Sequence, residues 1–93
     1  MSASRDVIEI VVRDSDAVAF RKVLVEVVRL LRRSRTARDI AAKTGCSVPA
    51  AHRRIDIVRE RLDGERYKLV RKRCAWVAGK TGPRAFTYWL ETR

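Results

Sequence analysis

The residues best equipped for proton or covalent chemistry in this chain are one histidine, His52, and two cysteines, Cys46 and Cys74. A catalytic imidazole needs a nucleophile or an orienting acid in reach, and a metal or redox site needs ligands at close, repeated spacing. His52 has no such companions, and neither cysteine has a second one beside it. No catalytic set, metal-ligand set or cofactor motif is therefore expected. Cys46, at a turn position ordinarily filled by an apolar side chain, reads as a buried thiol, and Cys74 reads as a strand residue. A disulfide between them is the minor alternative. The chemistry that the composition favours is electrostatic. Twenty-two Lys and Arg face 11 Asp and Glu, for a net charge of +11, and 17 of those cations are Arg, whose planar fork matches phosphate and guanine. A surplus of that size attracts polyanions, with nucleic acid ahead of anionic membranes and acidic proteins. An Arg-rich solvated surface that merely reflects genome composition is the plainer alternative.

The cations are uneven. Residues 1–47 hold 10 basic and 6 acidic side chains, and residues 48–93 hold 12 and 5, so a polyanion should meet the second half first. Within that half, one helix positions the most informative group. Ser47 sits where an N-cap belongs, and Pro49 falls in the first turn, where a missing amide costs nothing. Ala51, Ile55, Val58 and Leu62 recur at helical spacing and form the inward stripe, and Gly64 stops the helix. Pro49, Ala50, His52, Arg53, Asp56 and Arg59 are left on the opposite side. A helix lying in a DNA major groove reads bases with its N-terminal residues, which makes Ala50, His52 and Arg53 the leading contacts. An ordinary corner between two packed helices is the alternative reading of the same pattern.

The neighbouring elements follow from periodicity and punctuation. Thr36 with Asp39 three residues on approximates a capping box for a helix that ends before Gly45, a residue free to take the left-handed conformation. Upstream, Phe20, Val23, Leu24, Val27, Val28, Leu30 and Leu31 mark a helix over residues 17–33, with Asp14-Ser15-Asp16 as its capping cluster. Val7 to Val12 is a β-branched run and is expected to be a short N-terminal strand. Tyr67–Val77 and Ala85–Leu90 alternate as two strands joined by a loop over residues 78–84 containing two glycines and a proline. Trp76 and Trp89 are expected to pack across this hairpin, with stacking on unpaired bases as the alternative. Lys80, Thr81 and Arg84 at the loop, and Arg71 and Arg73 on the outgoing strand, are candidate phosphate contacts, as are Arg35 and Arg38 near the start of the second long helix. Lys72 should point to the face opposite Arg71 and Arg73. Charge that merely protects a hairpin edge is the alternative. The expected fold is one α+β domain over residues 1–93: an N-terminal strand, three helices and a two-stranded hairpin.

The run from Thr36 to Ser47, continuing to Arg53-Arg54-Ile55, resembles the winged helix-turn-helix proteins of bacteria and archaea. The segment from Gly82 to Leu90 resembles the return strand of their wing, as in PadR- and MarR-like transcriptional regulators. The helix-turn-helix would span residues 36–63 and the wing hairpin residues 67–91. The resemblance implies duplex DNA as partner, with Ser47, Pro49, Ala50, His52, Arg53 and Arg54 at the major groove and Lys80, Thr81 and Arg84 on the wing. Three features depart from the family: Ala51 stands where a β-branched residue is common, Ala50 where a hydroxyl is common, and Arg93 follows the last strand without a dimerisation helix. A homodimer would then use the N-terminal strand and first helix.

The resulting expectation is sequence-specific duplex binding, as a transcriptional regulator and most simply a repressor. The rivals are a non-specific architectural DNA- or RNA-binding protein and a winged-helix adaptor for protein partners. The chain contains neither Asn nor Gln. Bidentate reading of adenine is thus closed to it, and guanine contacts or shape readout are expected. The same absence fits a thermophile, and a compact reader of this kind fits a virus. No leader or membrane span is expected, which places the protein in the cytoplasm, on the nucleoid or in a host cytoplasm.

Overall fold

The structure is a computed structural model that describes residues 7–73 and 86–92. Its elements follow the order α1 (Val7–Val11), α2 (Val18–Leu30), β1 (Arg35–Thr36), α3 (Ala37–Thr44), α4 (Val48–Arg61), β2 (Tyr67–Arg73) and β3 (Phe86–Thr92). The fold is α+β, with four helices and one antiparallel sheet among the described residues.

The first element corrects the sequence reading: Val7–Val11 is a helix and not a strand. Val7, Ile10 and Val11 are buried while Glu9 is exposed, the three-and-four spacing of one helix side. The β-branched run favours a strand locally, but burial against α2 and α4 overrides that preference. A dimer formed by pairing an N-terminal strand is removed by the same observation, because these apolar side chains sit in the chain's own core.

In α2, Leu24, Val27, Val28 and Leu31 are fully buried, and Phe20, Val23 and Leu30 pack at the margin of the same core. The helix is shorter than its periodicity predicts. Beyond Leu30 the backbone donors of Arg32 and Arg33 reach carbonyls only three residues back, at 3.4 Å each, a tightened exit that turns the chain toward β1. Its start also differs from expectation. Asp16 does not cap α2: the N-cap is Ala17, which makes no side-chain hydrogen bond. The Asp16 carboxylate instead accepts from the Arg13 backbone N–H at 2.9 Å and from the Arg61 guanidinium at 2.7 and 3.0 Å.

The next two helices are bounded as their sequence predicts. Asp39 N–H donates to Thr36 Oγ1 at 3.1 Å and Thr36 N–H donates to Asp39 Oδ2 at 3.3 Å, the reciprocal pair of a capping box. Gly45 closes α3 at φ 69°, in the left-handed region. Ala50 N–H then donates to Ser47 Oγ at 3.2 Å, which starts α4.

The sheet has the order β1-β3-β2, so the last strand is the central one. It has three strands where two were expected, because Arg35 and Thr36 pair with Tyr88 and Thr87. Two residues are too few for a periodic signal, and Thr36 is legible only as a cap. Leu90 N–H extends the attachment by donating to the Leu31 carbonyl at 2.9 Å. Tyr88 is buried, and Leu69, Phe86, Leu90 and Tyr67 pack against the helical core, which places one face of the sheet on the helices. No polar or charged residue among the described ones is buried. No helix among them is long and apolar enough to cross a membrane.

Candidate nucleic-acid interface

One side of α4 is fixed and the other is free. Ala51 and Val58 are fully buried, and Ile55 and Leu62 are 1% exposed, so the stripe predicted at spacings of four, three and four faces inward. Pro49, His52, Arg53, Asp56 and Arg59 are exposed, while Ala50 and Arg54 are half-buried. Three core anchors within its fourteen residues and a fourth at its C-cap, Leu62, leave α4 little freedom to roll, which keeps the outward row presented as a unit. Asp56 and Arg59 bridge one another at 2.9 Å within that row. Both are about half exposed, so the bridge contributes little stability. It does set a cation against the carboxylate nearest Arg53 on the outward side.

The register of the sheet decides which cations share a face. Residues directly opposite in antiparallel strands project to the same side. Arg35 and Arg71 both lie opposite Tyr88, on its two flanks, and Arg73 lies opposite Phe86. These three arginines therefore occupy the face that meets the helices, while Lys68, Val70 and Lys72 share the other face with Thr87, Trp89 and Glu91. The predicted opposition of Lys72 to Arg71 and Arg73 holds. The two halves of the site meet at the His52 ring, which stands edge-on to Tyr88, with centroids 6.4 Å apart and an interplanar angle of 78°. Beyond the helices, the Arg71 guanidinium lies 4.6 Å from the Phe86 ring centroid and that of Arg73 lies 5.5 Å from it. The Nε of Arg35 is buried without a hydrogen-bond partner among the described residues. Arg38, in the first turn of α3, is exposed.

The structure thus brings His52 on α4 to Tyr88, which Arg35 and Arg71 flank on the sheet, and Arg53 is exposed one residue further along α4. Lys80, Thr81 and Arg84 lie outside the described residues, as do Cys74 and Trp76. Cys46 is half-buried at the edge of the core, its thiol 3.2 Å from Thr44 Oγ1, and Thr44 Oγ1 also donates to the Ile40 carbonyl at 2.6 Å. Among the described residues no group of three or more His, Cys, Asp and Glu is placed to hold a metal ion. Sequence reasoning missed the parts played by Phe86 and Tyr88. Their alternation marked one apolar face, but which arginine meets which ring depends on the strand register, and that depends on how the connecting loop closes.

Comparison of the chain with protein-family models, with curated proteins and with solved structures finds no match.

Proposed function

We propose that this protein is a winged helix-turn-helix that binds double-stranded DNA in a sequence-dependent way and acts as a transcriptional regulator, most simply a repressor. The carrying observation is the division of α4. Its inward stripe is locked in the core, and of its outward row of His52, Arg53, Asp56 and Arg59 the His52 ring meets Tyr88, on the sheet face that bears Arg35, Arg71 and Arg73. In this reading α4 enters the major groove, Arg53 reads guanine or clamps a phosphate, and the sheet arginines hold the adjacent backbone. Asp56 favours sequence readout over uniform backbone contact, since a carboxylate gains from a cytosine amino group and loses beside phosphate.

Selection of bound sequences from a random duplex library at about 150 mM salt tests the reading. One enriched motif containing guanine is expected, and Arg53→Ala should lower affinity for it by about 1–3 kcal/mol while flattening preference at one position. Retention without enrichment would replace the regulator with an architectural or RNA-binding role. No retention would leave a basic adaptor for a protein partner.

A further inference from the structure

We infer that Phe86 seats a two-arginine clamp for a backbone phosphate, with Arg71 and Arg73 as its jaws; the nucleic-acid source of that phosphate rests on the duplex-binding reading. The guanidiniums stand 4.6 and 5.5 Å from one ring centroid, both inside the range of about 6 Å over which a cation is attracted to a ring face. The register explains how one ring serves two cations. Arg73 is directly opposite Phe86, and Arg71 is its diagonal neighbour, two residues along the same strand and on the same face. Phe86 is itself half-buried and packed against the core. The ring is thus positioned by the protein interior, and the arginines are positioned by the ring.

This arrangement gathers two like charges on exposed residues of the helix-facing side of the sheet, and among the described residues no carboxylate pairs with either. Edge protection alone requires only scattered charge. Two guanidiniums held on one ring, with no hydrogen-bond partner for either among the described residues, match a group with several anionic oxygens, and phosphate fits better than a single carboxylate. The location favours a phosphate flanking the groove that α4 would enter, because Arg71 also flanks Tyr88, whose ring meets His52. Phe86 is accordingly a positioning residue: it touches no ligand and acts through the two arginines.

The experiment has two arms, both on the full chain. In the first, affinity for a mixed-sequence duplex is measured against salt concentration for wild type, Phe86→Leu, Phe86→Tyr, Arg71→Ala/Arg73→Ala and the triple variant. Each phosphate contact contributes about −0.9 to the slope of log affinity against log salt. Phe86→Leu and the double-arginine variant should each flatten the slope by about 1 and weaken binding several-fold. Phe86→Tyr should keep the wild-type slope, and Phe86→Leu should add nothing once the arginines are gone. A Phe86→Leu slope equal to wild type, or a further loss in the triple variant, overturns the clamp. The second arm measures the rise in Tm produced by inorganic pyrophosphate against chloride at equal ionic strength. A rise in wild type and Phe86→Tyr that is lost in Phe86→Leu and in the double variant supports the clamp even if no duplex binds, in which case only the DNA reading fails. An equal rise in all four proteins overturns it.

Discussion

At the scale of single residues, the contact with the clearest solution signature is the one that sequence reasoning misassigned. Asp16 was expected to cap a helix, as acidic residues just before an apolar run commonly do. It instead answers Arg61, which lies 45 positions away in the chain and whose guanidinium also donates to the Val11 carbonyl at 2.7 Å. Their side chains are only 9% and 16% exposed. The Arg61 hydrogen bond, followed by the Arg13 backbone N–H, holds the Asp16 carboxyl down to about 2 from its ordinary 3.8. A carboxyl whose folded-state pKa is depressed adds stability that is complete above its unfolded pKa and disappears as pH falls through the folded one. Tm should therefore drop between about pH 4 and pH 2. Asp16→Asn should lower Tm at pH 7 and flatten the curve within that acid window, as thermal melts across pH 2–7 would read. A variant curve parallel to wild type throughout would show that the pair does not govern acid stability. No local pattern could reveal this pair, because its partners meet only once α1, α2 and α4 have packed. His52, Arg53 and the buried stripe of α4 were legible for the opposite reason: helical spacing alone assigns each of them a side.

At the scale of elements, caps and periodicity were read correctly where the signal was chemical and local. Thr36 with Asp39, Gly45 and Ser47 each bound a helix at the expected residue. Thr36→Ala removes the acceptor for the Asp39 N–H and should cost about 1 kcal/mol in chemical denaturation, with a range of about 0.5–2. Gly45→Ala isolates a different term. Nothing lies within 4 Å of the added methyl group, but the backbone stays at φ 69°, so the cost is conformational alone and should be about 1–2 kcal/mol. A neutral result at position 45 would show that the turn relaxes out of the left-handed region. The misread elements are the shortest. Val7–Val11 has five residues and β1 has two, too few turns or alternations for a period to outweigh the composition of the run. In both, the deciding force is tertiary: the core claims α1, and β3 recruits β1.

At the scale of the whole molecule, cations and carboxylates are interleaved along α4, with Arg53, Arg54, Arg59 and Arg61 among Asp56 and Glu60. Its fourteen residues run about 21 Å at the usual helical rise. Arg53 stands near its middle, and Glu60, Asp63 and Glu65 lie at and beyond its C-terminal end, the first of them seven residues from Arg53, about 10 Å at that rise. That distance exceeds the screening length of about 8 Å at physiological salt, so these carboxylates weaken a polyanion bound at Arg53 only slightly. Glu60→Gln/Glu65→Gln should accordingly leave duplex affinity at 150 mM salt within about twofold of wild type, and a large gain in binding titrations would mean that the ligand reaches the far end. The placement of β3 between β1 and β2 also sets an order of events during synthesis and refolding. Each strand pairing in the sheet needs residues 86–92, and Arg35 waits across more than fifty positions for Tyr88. While the chain is being made, the helices can condense by themselves, but Leu69 and Tyr67 stay without their cross-strand neighbours until the final strand arrives. The slowest step of folding is then the closure of that long loop, and a chain truncated before residue 86 would hold a helical cluster with no sheet to cover it.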